Sequence, residues 1–142
     1  MKIAIGADHA GFERKLHLIG YLQTQNIAVA DLGTYTLASC DYPDYAHDVA
    51  AAVAEQTADR GILICGSGQG VAITANKHAN IRAALCWNAE VARLARAHND
   101  ANVLCLPARF VTATEAVEIV AAFLQTPFEG GRHQQRIDKI GA

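Results

Sequence analysis

Short apolar segments alternate with longer amphipathic segments along the chain. Five of the short segments run for four to six residues and are rich in Ile, Val or Leu, without strict apolar–polar alternation. Continuous apolarity over so few residues is typical of strands covered on both faces of a parallel sheet. The predicted strands are residues 3–6, 27–32, 61–65, 81–86 and 101–106.

The segments between these strands have helical spacing. The first has four apolar side chains on one predicted helix face: Phe12, Leu16, Ile19 and Leu22. Thr112 or Thr114 is expected to cap the last, where Glu115 in the opening turn suits the helix dipole. The other predicted helices are residues 45–58, 70–77, 89–97 and 114–124.

Strand–helix alternation of this kind predicts an α/β protein, a Rossmann-like doubly wound three-layer sandwich around a five-stranded parallel sheet. Residues 1–142 are expected to form one domain. The tail, residues 127–142, differs from the rest because it is polar and contains a Gly130–Gly131 hinge. A short helix is predicted after this hinge, with Arg132 and Arg136 one turn apart. Such a tail either frays or docks on a partner subunit.

Composition and charge exclude several classes of protein. The 142 residues carry 12 Lys and Arg against 14 Asp and Glu, and 51% are hydrophobic, which argues for a folded domain and against disorder. The scattered cations argue against nucleic-acid binding.

No apolar run reaches the roughly 18–20 residues of a membrane span, and no signal peptide is evident, so we expect a cytoplasmic protein. Its four cysteines have no zinc-site spacing, so free thiols, no metal and no cofactor are expected.

A glycine-rich loop after the third predicted strand is the most informative chemical feature. Gly66, Gly68 and Gly70 alternate between a buried strand and a helix, so successive backbone N–H groups can converge on an anion. The loop lacks the Lys-Ser/Thr ending of a Walker A motif and the spacing of a dinucleotide fingerprint. The alternative is a tight turn that merely requires glycine.

Titratable side chains cluster in the sequence near the same predicted edge of the sheet. Cys65 directly precedes the glycine loop, and a thiol beside backbone donors tends toward the thiolate, which acts as base or nucleophile. It is equally consistent with a small buried residue, which is the preferred interpretation of Cys86 and Cys105. Asp8 and His9 follow the first strand, whereas His98 is either an acid–base group or a helix C-terminal residue. Together these features indicate a small phosphorylated substrate and proton transfer.

Seven motifs carry a resemblance to one known family. The chain resembles the ribose/galactose isomerase family from end to end, and the motifs are far more distinctive together than the glycine loop alone. They are GADHAG (6–11), DYP (41–43), GILICGSGQG (61–70), ANK (75–77), IRA (81–83), RAHNDANVL (96–104) and EGGRHQQR (129–136).

The resemblance implies a metal-independent aldose–ketose isomerisation of a sugar phosphate, such as ribose 5-phosphate to ribulose 5-phosphate in the pentose phosphate pathway. Cys65 would shuttle a proton between C1 and C2 through an enediolate, and Ser67 would move a proton between the two oxygens. His98 would open the furanose ring. The anion hole for the intermediate would be the backbone of Gly66, Ser67, Gly68, Gln69 and Gly70. One branch of the family uses a glutamate just after the loop, where this chain has Val71.

The remaining implied roles concern substrate binding. Asp8 and Tyr42 would hold hydroxyls or the ring oxygen, and Asn99 would contact the sugar. In the family the C-terminal arginines reach a neighbouring subunit, so a homodimer with shared active sites is expected, and the sequence does not distinguish it from a tetramer. The phosphate would be held by His9, Arg109, Arg132 and Arg136.

Alternatives remain open at the level of the sequence. The same chemistry could act on allose 6-phosphate or galactose 6-phosphate, because the sequence does not give the distance from Cys65 to the phosphate site. A non-catalytic sugar-phosphate-binding protein is disfavoured because Cys65 and His98 are both present. A nicotinamide-dependent oxidoreductase is opposed by the first loop, and Asp31 is the one residue in its favour.

Overall fold

The computed structural model describes residues 1–141 and contains five strands, all in one parallel sheet. The strands are β1 (Lys2–Ala7), β2 (Ala28–Asp31), β3 (Arg60–Cys65), β4 (Ala83–Leu85) and β5 (Val103–Pro107). The helices are α1 (Phe12–Thr24), α2 (Tyr42–Ala54), α3 (Gln69–Ala75), α4 (Ala89–Asn99), α5 (Ala113–Gln125) and α6 (Arg132–Ile140). The predicted α/β class and five parallel strands are confirmed, and the bounds of the elements differ from the predicted ones, most of all in α2.

The strand order is β2-β1-β3-β5-β4. This order indicates where along the sheet a ligand is expected to bind. From β1 the chain moves outward to β2 and then crosses back to β3 on the other side of β1. In open α/β sheets, ligands bind outside the carboxyl ends of the strands at such a reversal. The carboxyl ends of β1 and β3, which pair through Ala7 and Ile64, therefore mark the expected site.

Alternating side chains of the strands build two separate cores. Ile3 and Ile5 of β1 pack toward α1, α4 and α5, whereas Ala4 between them packs toward α2 and α3. This alternation follows from the two-residue period of a strand, and the continuous apolar runs follow from coverage on both faces. The three-layer sandwich predicted from the sequence is thereby confirmed.

The buried face of α1 differs from the predicted one. Leu16 is 49% exposed, and the fully buried residues of the helix include Leu18 and Lys15. Lys15 donates a hydrogen bond from Nζ to Oδ1 of Asp31 at the end of β2. The apolar spacing predicted the wrong face because the aliphatic part of a lysine can pack in the core when its ammonium group bonds to a carboxylate.

Local signals fix two helix starts. Thr112 caps α5 by accepting a hydrogen bond from the Glu115 backbone, while the Glu115 carboxylate accepts one from the Thr112 N–H, a complete capping box. At α2 the helix begins at Tyr42, three residues before the predicted start, because Pro43 fits the first turn of a helix. No helix among residues 1–141 has the length and apolarity needed to cross a membrane.

The tail forms the predicted helix and packs on its own chain. His133 and Ile137 of α6 are buried, and the backbone N–H of Glu129 donates to the carbonyl of Ala97 at the end of α4. Arg132 and Arg136, each one position before a buried residue, lie on a neighbouring, exposed face of α6. The tail is therefore anchored by one face and presents its two arginines with the other.

Candidate active site

A cavity of about 330 Å³ lies at the carboxyl edge of the sheet. It is at the reversal of strand order between β1 and β3, as the topology predicts. A larger cavity of about 530 Å³ lies between α6 and residues 76–82 but contains none of the predicted catalytic groups. The side chains and backbone lining the smaller cavity belong to Asp8, His9, Ala10, Tyr42, Cys65, Gly66, Ser67, Gly70 and Arg109.

The glycine loop carries free backbone donors, and its residues Ser67 and Gly70 line the cavity. Within residues 1–141, the backbone N–H groups of Ser67, Gly68 and Gly70 have no protein acceptor. Gly68 adopts a φ of 75°, a left-handed conformation that favours glycine and turns the chain into α3. A tight turn alone does not require three neighbouring donors without a protein acceptor. The arrangement fits the predicted anion-binding loop.

Two further glycines permit close approach of functional side chains. A Cβ on Gly70 would lie 2.4 Å from Cζ of Tyr42, and a Cβ on Gly66 would lie 3.0 Å from Cζ of Arg109. The Tyr42 ring and the Arg109 guanidinium therefore rest directly on the loop backbone. Arg109 is tied to the loop further by its N–H, which donates to the Gly66 carbonyl at 3.0 Å.

The cysteines divide into two environments. Cys65 is 5% exposed and lines the cavity, whereas Cys86 and Cys105 are fully buried in the two cores. Burial raises the pKa of the Cys86 thiol to about 12, and burial also raises the pKa of Cys105 well above its ordinary value. The interpretation of Cys86 and Cys105 as core residues is confirmed, and Cys65 is the buried thiol that meets the cavity.

Asp8 and His9 enter the cavity from the end of β1. Asp8 is buried, with one carboxylate oxygen accepting the N–H of Gly11 at 3.1 Å, which leaves its other oxygen for a ligand. His9 Nδ1 accepts the backbone N–H of Cys40 at 3.3 Å. The neutral ring consequently carries its proton on Nε2, where it can be donated to an anion. No sequence pattern indicates this contact, because Cys40 lies 31 residues from His9.

Four predicted site residues lie away from this cavity. His98 and Asn99 are in the last turn of α4, which ends before β5 begins and therefore at the amino edge of the sheet. Arg132 and Arg136 are on α6, which packs against that end of α4. The single chain brings together only part of the predicted constellation: the thiol, the loop, Asp8, His9, Tyr42 and Arg109.

His98 lies in a cluster that the sequence did not indicate. Its ring stacks on that of His133 with centroids 4.2 Å apart, and Glu129 lies beside both rings. No sequence spacing indicates this cluster, because its members meet only when α6 folds back on α4. Asp31 is the residue that favoured a nicotinamide-dependent oxidoreductase. Its Oδ1 already accepts hydrogen bonds from Lys15 Nζ and from the N–H of Gly33.

A Rossmann-like sheet with a thiol, an imidazole and an anion-binding loop at its strand reversal defines an α/β protein equipped for proton transfer on a small anionic ligand. The sequence profile of the Ribose/Galactose Isomerase family matches residues 3–140. Ribose-5-phosphate isomerase B of Escherichia coli (strain K12) is 48% identical over 141 residues, covering 99% of this chain and 95% of that protein. This chain belongs to the ribose/galactose isomerase family.

Solved structures agree with this assignment. A ribose 5-phosphate isomerase from Thermotoga maritima superposes with a TM-score of 0.96 at 53% identity, covering 98% of this chain and 96% of that one. Ribose-5-phosphate isomerase B from Mycoplasma genitalium, solved with bound ribulose-5-phosphate, gives a TM-score of 0.94 at 50% identity. The alignment with it covers 98% of this chain and 93% of that chain. The family resemblance inferred from the seven motifs is confirmed.

Proposed function

We propose that this protein interconverts ribose 5-phosphate and ribulose 5-phosphate, with Cys65 as the base. The observation that carries the proposal is the meeting, in one cavity, of the Cys65 thiol and the free donors of the glycine loop. Isomerisation requires a base at C1 and C2 and donors for the oxyanion that develops beside them. The extensive identity to ribose-5-phosphate isomerases supports the same substrate.

We assign the proton transfers to these groups. In the aldose-to-ketose direction, the Cys65 thiolate removes the proton on C2, and the electron pair moves toward O1 to give an enediolate. The N–H groups of Ser67, Gly68 and Gly70 stabilise the negative charge on oxygen. The Ser67 hydroxyl moves the O2 proton to O1, and Cys65 returns its proton to C1. Atoms and charge balance without an external oxidant or reductant.

The cavity also contains groups for orientation of the substrate. Arg109 and the Nε2 proton of His9 supply positive charge and a donor for the phosphate, and Asp8 and Tyr42 supply partners for hydroxyls. Binding energy at the phosphate fixes C1 and C2 beside Cys65, which is how a remote group contributes to catalysis.

We further propose that the working protein is a homodimer in which a second copy supplies His98, Asn99, Arg132 and Arg136. Among residues 1–141, ten large hydrophobic side chains are exposed, and five of them lie at the carboxyl edge, after β2, β4 or β5 or at the start of α2. These five support coverage of that edge by another chain. They are Tyr35, Leu37, Tyr42, Trp87 and Phe110. Unpaired cysteines suit the cytoplasmic location expected from the sequence.

The test of the function is the conversion of ribose 5-phosphate to ribulose 5-phosphate by the purified chain in excess chelator. Turnover is expected in the wild type and absent in Cys65→Ala, with the same circular dichroism spectrum and melting transition. Cys40→Ala is the matched control, because alanine retains the backbone N–H that donates to His9 and loses only the 3.9 Å contact of Sγ with Nδ1. Undiminished turnover by Cys65→Ala would exclude the assigned base. Rates on five- and six-carbon sugar phosphates give the substrate length.

A further inference from the structure

Three potential metal ligands meet where α6 packs against the end of α4. Glu129 Oε1 lies 3.4 Å from His133 Nε2 and 3.9 Å from His98 Nε2. All three ligand atoms lie within 4.8 Å of one another, and the two rings are nearly parallel, at 11°. Nε2 of each ring therefore lies within 4 Å of the same carboxylate oxygen.

The surrounding structure holds these groups in place. The side chain of His133 is only 8% exposed. The backbone of Glu129 is fixed by its N–H bond to Ala97, one residue before His98. The three groups already meet in the folded chain, so the helices need not unfold or move to bring them together. His133 and the backbone of Glu129 are therefore preorganised, and the exposed His98 ring turns out of the stack to direct its in-plane lone pair to the ion.

The ligand chemistry fits a borderline divalent transition-metal ion. Two imidazole nitrogens and one carboxylate bind Zn²⁺ at about 2.0–2.2 Å, which sets neighbouring ligand atoms about 3–3.5 Å apart. The pair Glu129–His133 already has this spacing, at 3.4 Å. The His98 ring is 40% exposed and free to close the remaining gap. Oxygen-preferring Ca²⁺ and Mg²⁺ fit less well, since two of the three ligands are imidazoles.

We propose that His98, Glu129 and His133 form a binding site for a divalent transition-metal ion, represented by Zn²⁺ or Co²⁺, and that its occupation inhibits the enzyme. The inhibitory part rests on the proposed function, in which His98 opens the sugar ring. A metal ion bound to His98 Nε2 occupies the lone pair that would accept a proton, and it holds the ring against Glu129. Metal binding and proton transfer by His98 therefore exclude each other.

Binding is tested on the metal-free full chain by titration with CoCl2, followed by its visible spectrum and by equilibrium dialysis. One ion per chain is expected, without the near-ultraviolet charge-transfer band of a thiolate ligand. Glu129→Gln and His133→Asn should weaken binding by at least about tenfold, and the exposed Glu118→Gln control should not change it. A thiolate band, or equal affinity in all four proteins, would overturn the site. Because Glu129 is largely exposed, Glu129→Gln tests the site without disturbing the core.

Inhibition is measured separately with ZnCl2, as the fraction of each protein's own metal-free rate. Wild type should be inhibited and recover on addition of chelator, and Glu129→Gln should need at least tenfold more Zn²⁺. Equal inhibition of both proteins would overturn the inhibitory role. A chain that binds Co²⁺ as expected but never isomerises ribose 5-phosphate retains the metal site and contradicts the proposed function. A chain that isomerises ribose 5-phosphate but binds no Co²⁺ at these residues supports the proposed function and contradicts the metal site.

Discussion

Cys65 and His98 lie at opposite edges of the same parallel sheet. Cys65 is the last residue of β3, whereas His98 precedes β5, whose first residue, Val103, pairs with Gly61 near the start of β3. The six residues of β3 rise about 3.3 Å each, so the two ends of the strand are about 17 Å apart. A proton-transfer site that uses both side chains consequently needs two chains.

Shared sites predict complementation between inactive variants. Cys65→Ala and His98→Asn should each be inactive alone, and their equimolar mixture should regain activity after dissociation and reassociation. Random pairing puts one intact site in each heterodimer, so about a quarter of the wild-type rate is expected. The measurement is the isomerase rate of the reassociated mixture.

The matched control mixes Cys65→Ala with Ser67→Ala. These two residues lie at the same edge of the sheet, so every site in the mixed dimer carries one of the defects and no activity should return. Failure of the Cys65→Ala and His98→Asn mixture to recover, with heterodimers demonstrated by mass, would contradict the shared site.

The contact of Gly70 with Tyr42 predicts a sensitive position in the loop. In Gly70→Ala the new Cβ would lie 2.4 Å from the Tyr42 ring, so the ring or the loop must move. We expect kcat/KM to fall by roughly tenfold to a hundredfold, because small displacements of positioning groups are costly. Steady-state kinetics with ribose 5-phosphate measure the effect.

Gly20→Ala provides the comparison for this substitution. Gly20 lies in α1, and no atom lies within 4 Å of a Cβ placed on it. The change should leave kcat/KM unaltered and raise the free energy of unfolding by about 0.5–1 kcal/mol. Unchanged kinetics in Gly70→Ala would show that the position of Tyr42 does not matter to the reaction.

The different environments of the thiols predict selective alkylation. Iodoacetamide at pH 8 should modify Cys40 and Cys65, and loss of activity should follow modification of Cys65. Cys86 should not react in the native protein, because its pKa of about 12 leaves only about one thiolate in ten thousand at this pH. Peptide mass mapping measures each site. Modification of Cys86 or Cys105 before unfolding would contradict the assigned burial.

The sequence predicted the strands well because a parallel strand covered on both faces is a continuous apolar run. It also predicted the start of α5, since Thr112 and Glu115 satisfy each other's backbone within one turn. These features depend on neighbours in the chain. The cavity followed from topology as well, because parallel strands bring their carboxyl ends to one edge.

The features that sequence reasoning missed depend on contacts between distant elements. His133 meets His98 only because α6 folds back on α4, and no local pattern records that packing. The buried face of α1 was misassigned because Lys15 has its partner, Asp31, on another element. The proposed pairing of Cys65 with His98 of a second copy is harder still to predict from sequence, since one folded chain keeps these two residues apart.

The buried ammonium of Lys15 predicts a large effect on stability without direct loss of chemistry. Lys15→Ala removes the partner of Asp31 and leaves a cavity, so we expect the free energy of unfolding to fall by about 3 kcal/mol. Urea denaturation of the variant measures the change. Lys15→Met, which fills the same volume, should lose less, and equal losses would assign the effect to the charge rather than to packing.

The capping box at α5 predicts a stability difference that depends on pH. Hydrogen bonds from Thr112 to the ionised carboxylate lower the pKa of Glu115. A carboxyl whose pKa is lower in the folded state contributes stability above its unfolded pKa and loses that contribution as the pH falls through its folded pKa. Wild type should therefore be more stable than Glu115→Ala at pH 7, and the difference should narrow below about pH 4.5 as the carboxylate is protonated. Thermal melts of both proteins between pH 3 and pH 7 measure this change. Glu118→Ala, in the same helix, is the control, and a gap between wild type and Glu115→Ala that stays constant with pH would show that the carboxylate charge does not contribute to the cap.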